Sequence, residues 1–186
     1  MLNMKSEIRS GIAIGLGGFL WLLLEFALGF HHRFIDYQPF FNLLSFVIPI
    51  VGIYWAMKAK RDRYYNGKIS FMNALKTGMY ITAVISIITP LLTFLYITVV
   101  NPLFLVTMLG HEKLIIDELN ISPEDKTRMI TDSIQNYSLL SYTLRSFFIA
   151  LFSGVILSTL TALLMKRNVQ AKATPPDHSI TDFEKK

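Results

Sequence analysis

Apolar residues run almost unbroken through four stretches of the chain, about 8–30, 40–57, 77–100 and 143–165, and polar residues collect between them. A run of ~20 apolar residues, rising about 1.5 Å each, covers a hydrocarbon core about 30 Å thick, so each stretch predicts a transmembrane helix. Asn101-Pro102 ends the third, because proline lacks an amide donor and disfavours helix at the residue before it. Leu114, Ile115, Ile116 and Leu119 then alternate with Glu112, Lys113, Asp117 and Glu118, which predicts a short amphipathic helix. Ser122-Pro123-Glu124-Asp125 reads as a helix start: Ser caps, Pro takes the first position, and two acids face the positive end of the dipole. Met129, Ile130, Ser133, Ile134 and Tyr137 continue at helical spacing, so this helix is expected to run into the fourth span. The pattern predicts an all-α, integral membrane four-helix bundle over residues 1–167, with a short helical extracytoplasmic segment between the third and fourth spans. Residues 168–186, with Pro175-Pro176 and few apolar side chains, are expected to form a disordered cytoplasmic tail.

Polar and small residues inside the spans fall on faces. Helices in lipid gain nothing hydrophobic by associating, so their contacts favour small side chains and hydrogen bonds across helices. At about 100° per residue, Gly11, Gly15, Gly18, Glu25 and Gly29 fall within roughly 80° of one another on the first helix. Asn42, Ser45, Pro49, Gly52 and Ala56 do so on the second, and Gly78, Thr82, Ser86, Thr89 and Thr93 on the third. The fourth carries a looser set: Ser146, Ala150, Ser153, Gly154 and Thr161. These stripes predict helix packing through Gly11, Gly15, Gly18, Gly29, Asn42, Ser45, Gly52, Gly78, Thr82 and Ser86. A solute pathway is the competing use of the third helix's polar face. Pro49 and Pro90 each remove a backbone hydrogen bond and predict kinks.

Glu25 is the one formal charge deep in a predicted span, and an acid at that depth needs a partner, a proton or water. Arg145, entering from the same side on the fourth helix, is the expected partner in an intramembrane ion pair. His31 and His32 could also reach the carboxylate from the first outer loop. A protonatable Glu25 in an ion path and a Glu25 turned toward the interface are the other readings.

Charge sets the orientation. Thirteen of the eighteen Lys and Arg residues lie on the side holding both termini and the loop between the second and third spans. Cytoplasmic loops carry the basic excess, so both termini are expected inside the cell. The net charge of +5 therefore reports topology, and nucleic acid is not an expected partner. With 52% hydrophobic residues and four spans, no separate soluble domain fits. The first span lacks a small-x-small cleavage pattern and is expected to stay as a helix.

The chemical motifs are sparse. Absence of cysteine excludes disulfides, thiolate metal sites and cysteine nucleophiles. His111-Glu112 begins a zinc-protease pattern, but Ile115 stands where the second His must be. His31, His32 and Asp36 in one outer loop, with His111 and Glu112 in another, could in principle offer metal ligands, but exposed polar loop residues are the commoner explanation of such a set. No phosphate loop, dinucleotide fingerprint or nucleophile elbow is present. No enzyme activity, cofactor or metal is expected. The expected partners are the lipid bilayer, an anionic lipid at the basic inner loop 58–73, and a protein partner or second copy of the chain.

Gly67-Lys68-Ile69-Ser70-Phe71 followed by Ala74-Leu75-Lys76-Thr77-Gly78 marks the entry to the third helix. Tyr96 to Asn101-Pro102, the acidic segment with Ser122-Pro123-Glu124, and a last span ending in Lys166-Arg167 follow in order. With these motifs, residues 5–167 resemble an uncharacterised four-span bacterial membrane family, domain of unknown function 4199. The resemblance implies the inner membrane of a Gram-negative cell and supplies no catalytic residues. Two functions are open at this point: a non-catalytic structural or partner-interaction protein, or a small solute or ion transporter using Glu25 and the polar face of the third helix.

Overall fold

A computed structural model describes residues 4–166, and every regular element among them is helical. Four helical runs are long and apolar enough to cross a membrane: Lys5–Ala27, Ile35–Tyr64, Phe71–Val100 and Leu139–Met165. Only 11–22% of the apolar window of each is buried inside the protein, so most of each helix's surface needs an apolar solvent. Leu20, Phe40, Leu91 and Leu164, each more than 60% exposed, supply that outer surface. The expected tail beyond residue 167 lies outside the described residues.

The elements are α1 (Lys5–Ala27), α2 (Gln38–Ser45), α3 (Val47–Tyr64), α4 (Phe71–Leu95), α5 (Phe104–Glu118), α6 (Pro123–Asn136) and α7 (Leu139–Met165). Helix starts follow local chemistry. Ser70, Ser122 and Ser138 each accept a backbone N–H three residues on, from Asn73, Asp125 and Ser141. The Ser70 cap starts α4 at Phe71, six residues before the expected entry of the third span. The Ser138 cap separates α6 from α7, so the helix expected to run into the fourth span stops at Asn136 instead. The second span is divided between α2 and α3 at Phe46, next to Ser45, whose carbonyl Pro49 leaves without its helical donor. Pro90 lies within α4 without dividing it. One π-helical turn, Tyr96–Val100, follows α4 and ends at Asn101-Pro102.

The spans form a ring. α4 packs along α7 and α1, while α3 packs along α1 and α7, leaving α1 and α7 diagonal to each other. At the end of the bundle near the termini, Ile14, Ile53, Met57, Ile81, Ile85 and Met165 fill the interior. At the opposite, far end, Tyr96, Ile97, Phe104 and Met108 form a second cluster against Phe19, Leu22 and Tyr142. α5 therefore caps the far end with its first turns.

Small residues set the close approaches. A Cβ on Gly11 would lie 2.6 Å from Val84 Cβ, and one on Gly15 3.0 Å from Ile88, so both face α4. Gly52 meets Ile14 of α1 in the same way, and Gly78 meets Ser158 of α7. Thr82 is fully buried and shares a 3.0 Å hydroxyl–hydroxyl bond with Ser158 across the α4–α7 seam. Ser86 is buried too, with its hydroxyl turned back on the Ala83 carbonyl at 3.0 Å. Four other stripe positions lie elsewhere. Asn42 and Ser45 line a cavity, as does Gly18, around whose Cβ position nothing lies within 4 Å. Gly29 lies beyond the end of α1 in the left-handed region (φ +88°), where it turns the chain.

Candidate functional site

Between the two apolar clusters the four spans leave a cavity of about 500 Å³. Space of this size suits a small molecule. The stripes read from the sequence converge on it: Gly18 and Glu25 from α1, Asn42 and Ser45 from α2, Thr89 and Thr93 from α4, Ser146 and Ser153 from α7. Ile14, Phe19, Ile53, Ile85 and Leu92 supply apolar wall between them. Phe104 and Met108 of α5 reach the same space from the far end.

Glu25 and Arg145 both line this cavity, but they do not pair. Glu25, 1% exposed, accepts the indole N–H of Trp21 at 2.6 Å, one helical turn back. Its other oxygen lies 3.2 Å from His31 Nε2. The left-handed turn at Gly29 folds the loop back, so His31 returns beneath the end of its own helix. His31 Nδ1 meets the Tyr96 hydroxyl in a short hydrogen bond, and Asn101 Nδ2 donates to that same oxygen at 3.0 Å. The π-helical turn brings this about, since it carries Asn101 N–H to the Tyr96 carbonyl at 2.8 Å.

Donor inventory assigns the protons. Trp21 and Asn101 can only donate in these contacts and a carboxylate only accepts, so His31 Nε2–H donates to Glu25 while His31 Nδ1 and the Tyr96 hydroxyl share one hydrogen bond. Every polar group in the chain Trp21–Glu25–His31–Tyr96–Asn101 then has its partner, which is the condition for a polar cluster at membrane depth. Phe104 stacks edge-on against both His31 and Tyr96, with centroids 5.0 and 5.4 Å apart, and keeps the imidazole dry.

Arg145 takes a different set. Its guanidinium lies over the rings of Tyr142 (4.8 Å) and Tyr137 (5.9 Å), and no carboxylate among the described residues pairs with it. The diagonal placement of α1 and α7, with the cavity between them, is the physical reason that the expected Glu25–Arg145 pair does not form. Burial and the nearby Glu112 carboxylate hold the Tyr137 hydroxyl above the ordinary phenol range, against the pull of Arg145, so it stays a neutral donor. At the far end, His111 lies 3.5 Å from Asp36. His31, bound to Glu25 and Tyr96, is thus not gathered with His111.

A buried charge pair escapes the sequence reading. Lys60 Nζ donates to Glu7 at the end of the bundle near the termini, with both side chains under 5% exposed. Glu7 precedes the apolar run and Lys60 lies among other basic residues, so composition marks both as surface groups.

Residues 9–167 match the profile of a family described as a protein of unknown function, DUF4199. The chain belongs to that family. No curated protein and no solved structure matches it. The matched region takes in the first span from Arg9 onward, the other three spans whole and every cavity-lining residue named above, while Glu7 precedes it. Family membership assigns no role to the cavity.

Proposed function

We propose that this chain is a multi-pass protein of the bacterial inner membrane that holds a small amphiphilic anion in its central cavity without transforming it. Both termini then lie in the cytoplasm, as the basic excess at their end of the bundle requires. α5 and α6 form the extracytoplasmic segment, and exposed Leu103, Val106 and Leu114 suit its contact with the membrane surface. The observation that carries the binding role is Arg145: a cation without a carboxylate partner among the described residues, on the wall of a cavity inside the membrane. Glu25 on the opposite wall already has two donors and leaves Arg145 uncompensated. An anionic head on Arg145, with Asn42 also lining the cavity, and an apolar body toward Ile53 and Ile85 match the lining.

Binding is favoured over reaction because the Glu25–His31–Tyr96 chain spends its hydrogen bonds internally and has no free base to offer. Binding is favoured over conduction because Ile53, Met57, Ile81 and Met165 fill the bundle between the cavity and the terminal end. Contact with a protein partner or a second copy would use the outer faces and leaves this reading unchanged.

Trp21 lines the cavity and Trp55 is 60% exposed, so a Trp55→Phe protein reports the cavity by fluorescence. Decanoate titrated into this protein in nanodiscs is expected to give a saturable change in Trp21 emission. Arg145→Gln is expected to weaken that binding about tenfold, or about 1.4 kcal/mol, while decanol shows no such dependence. Equal decanoate affinity with and without Arg145 would rule the assignment out.

A further inference from the structure

A second cavity, about 270 Å³, opens between α1, α3 and α4 at the end of the bundle near the termini. Ser10 and Arg9 of α1, Lys60 and Arg63 of α3, and Thr77 of α4 line it. Among the described residues Glu7 is the one acid in its wall, and it is held by Lys60 and by Ser6 at 2.8 Å. In that described lining three cations face one carboxylate, a net positive charge of two.

How those charges are committed decides what the pocket wants. Lys60 is 4% exposed and lies over the Tyr64 ring at 4.9 Å, yet an ammonium has three donors and Glu7 takes one. Arg9 and Arg63 make no hydrogen bond or ion pair with any carboxylate among the described residues, whereas the neighbouring Arg61 is held by Asp62 at 2.8 Å. A buried lysine with spare donors, two guanidiniums without acids and the Ser10 hydroxyl form a donor set for a tetrahedral oxyanion, while Thr77, whose hydroxyl donates to the Asn73 carbonyl at 2.9 Å, only shapes the wall.

We infer that this pocket binds a phosphate group, carried by a membrane phospholipid or by a soluble phosphate. Depth favours neither the core nor bulk water: the lining comes from the first two turns of α1 and the last two of α3, which is the headgroup layer for helices of this length. A lipid's chains would lie outside along Ile8, Ile12 and Leu16, about 40% exposed and in line up α1 beside Arg9. The site is separate from the central cavity and does not depend on any ligand there.

The test is native mass spectrometry of the full chain released from nanodiscs of phosphatidylcholine with a minor share of phosphatidylglycerol, followed by titration with inorganic phosphate. One retained phosphatidylglycerol, lost about tenfold in the Arg9→Gln/Arg63→Gln protein and not displaced by inorganic phosphate, is the result expected for a lipid. Retention of inorganic phosphate itself, abolished by the same substitutions, assigns the soluble source. Arg9→Lys/Arg63→Lys keeps the charge, so it retains the ligand in part and serves as the folding control. Equal phosphatidylglycerol retention by the native and Gln proteins, with no phosphate bound by either, would overturn the inference.

Discussion

His31→Ala is expected to destabilise the protein by about 2–4 kcal/mol, because it strips a buried carboxylate of one of its two donors and removes the buried imidazole partner of the Tyr96 hydroxyl. At about 2–4 °C per kcal/mol for a chain of this size, thermal unfolding in mild detergent should shift down by several degrees or more. Arg145→Met, by contrast, loses only ring contacts with Tyr137 and Tyr142 and should cost about 1 kcal/mol or less. A loss at Arg145 as large as that at His31 would show that the arginine is the counterion after all.

The contrast between those two residues also shows where sequence reasoning runs out. Four spans are legible because no water-soluble element needs ~20 apolar residues in a row. The Ser122-Pro123 helix start is legible because capping chemistry is local to four residues. Glu25 is legible as a problem, since a charge among Leu and Phe must be met by something. Its answer is not, because it depends on two non-local facts. One is the ring order of the helices, which places α7 across a cavity from α1. The other is a left-handed Gly29, which returns His31 to the helix it has just left. Stripe spacing places Gly29 on a packing face, but α1 ends before reaching it. The stripes themselves are real features of the helices, yet periodicity cannot say whether a small residue is small to admit a neighbour or to leave space. Gly11 and Gly78 admit neighbours, whereas Gly18 leaves space.

That distinction yields the second large effect. Gly154→Val should destabilise by about 2–3 kcal/mol, the upper part of the range of about 1–3 kcal/mol for overpacking a filled interface. A Cβ there would stand 2.5 Å from Thr82 Cγ2, in the seam between α4 and α7. Neither backbone can retreat without opening the Thr82–Ser158 hydrogen bond. Gly18→Ala adds the same first carbon into open space and removes a flexible residue from mid-helix, so it should be neutral or stabilising by up to about 1 kcal/mol. Thermal unfolding of the two variants side by side checks the pair. Equal losses would mean that α1 packs at Gly18 as tightly as α7 packs at Gly154.

The chain has no cysteine, so a single introduced thiol is its only reactive one. Gly18→Cys places that thiol in the cavity, Ser158→Cys in the packed α4–α7 seam, and Leu20→Cys on the 65% exposed outer face of α1. Thiols react as thiolates and need water. In native membranes, a small charged methanethiosulfonate should therefore modify the Gly18→Cys protein about tenfold or more faster than either of the other two. A cavity thiol as inert as the one in the Ser158→Cys protein would contradict the account, because it would mean that the four polar stripes meet in a sealed seam with no room for a guest.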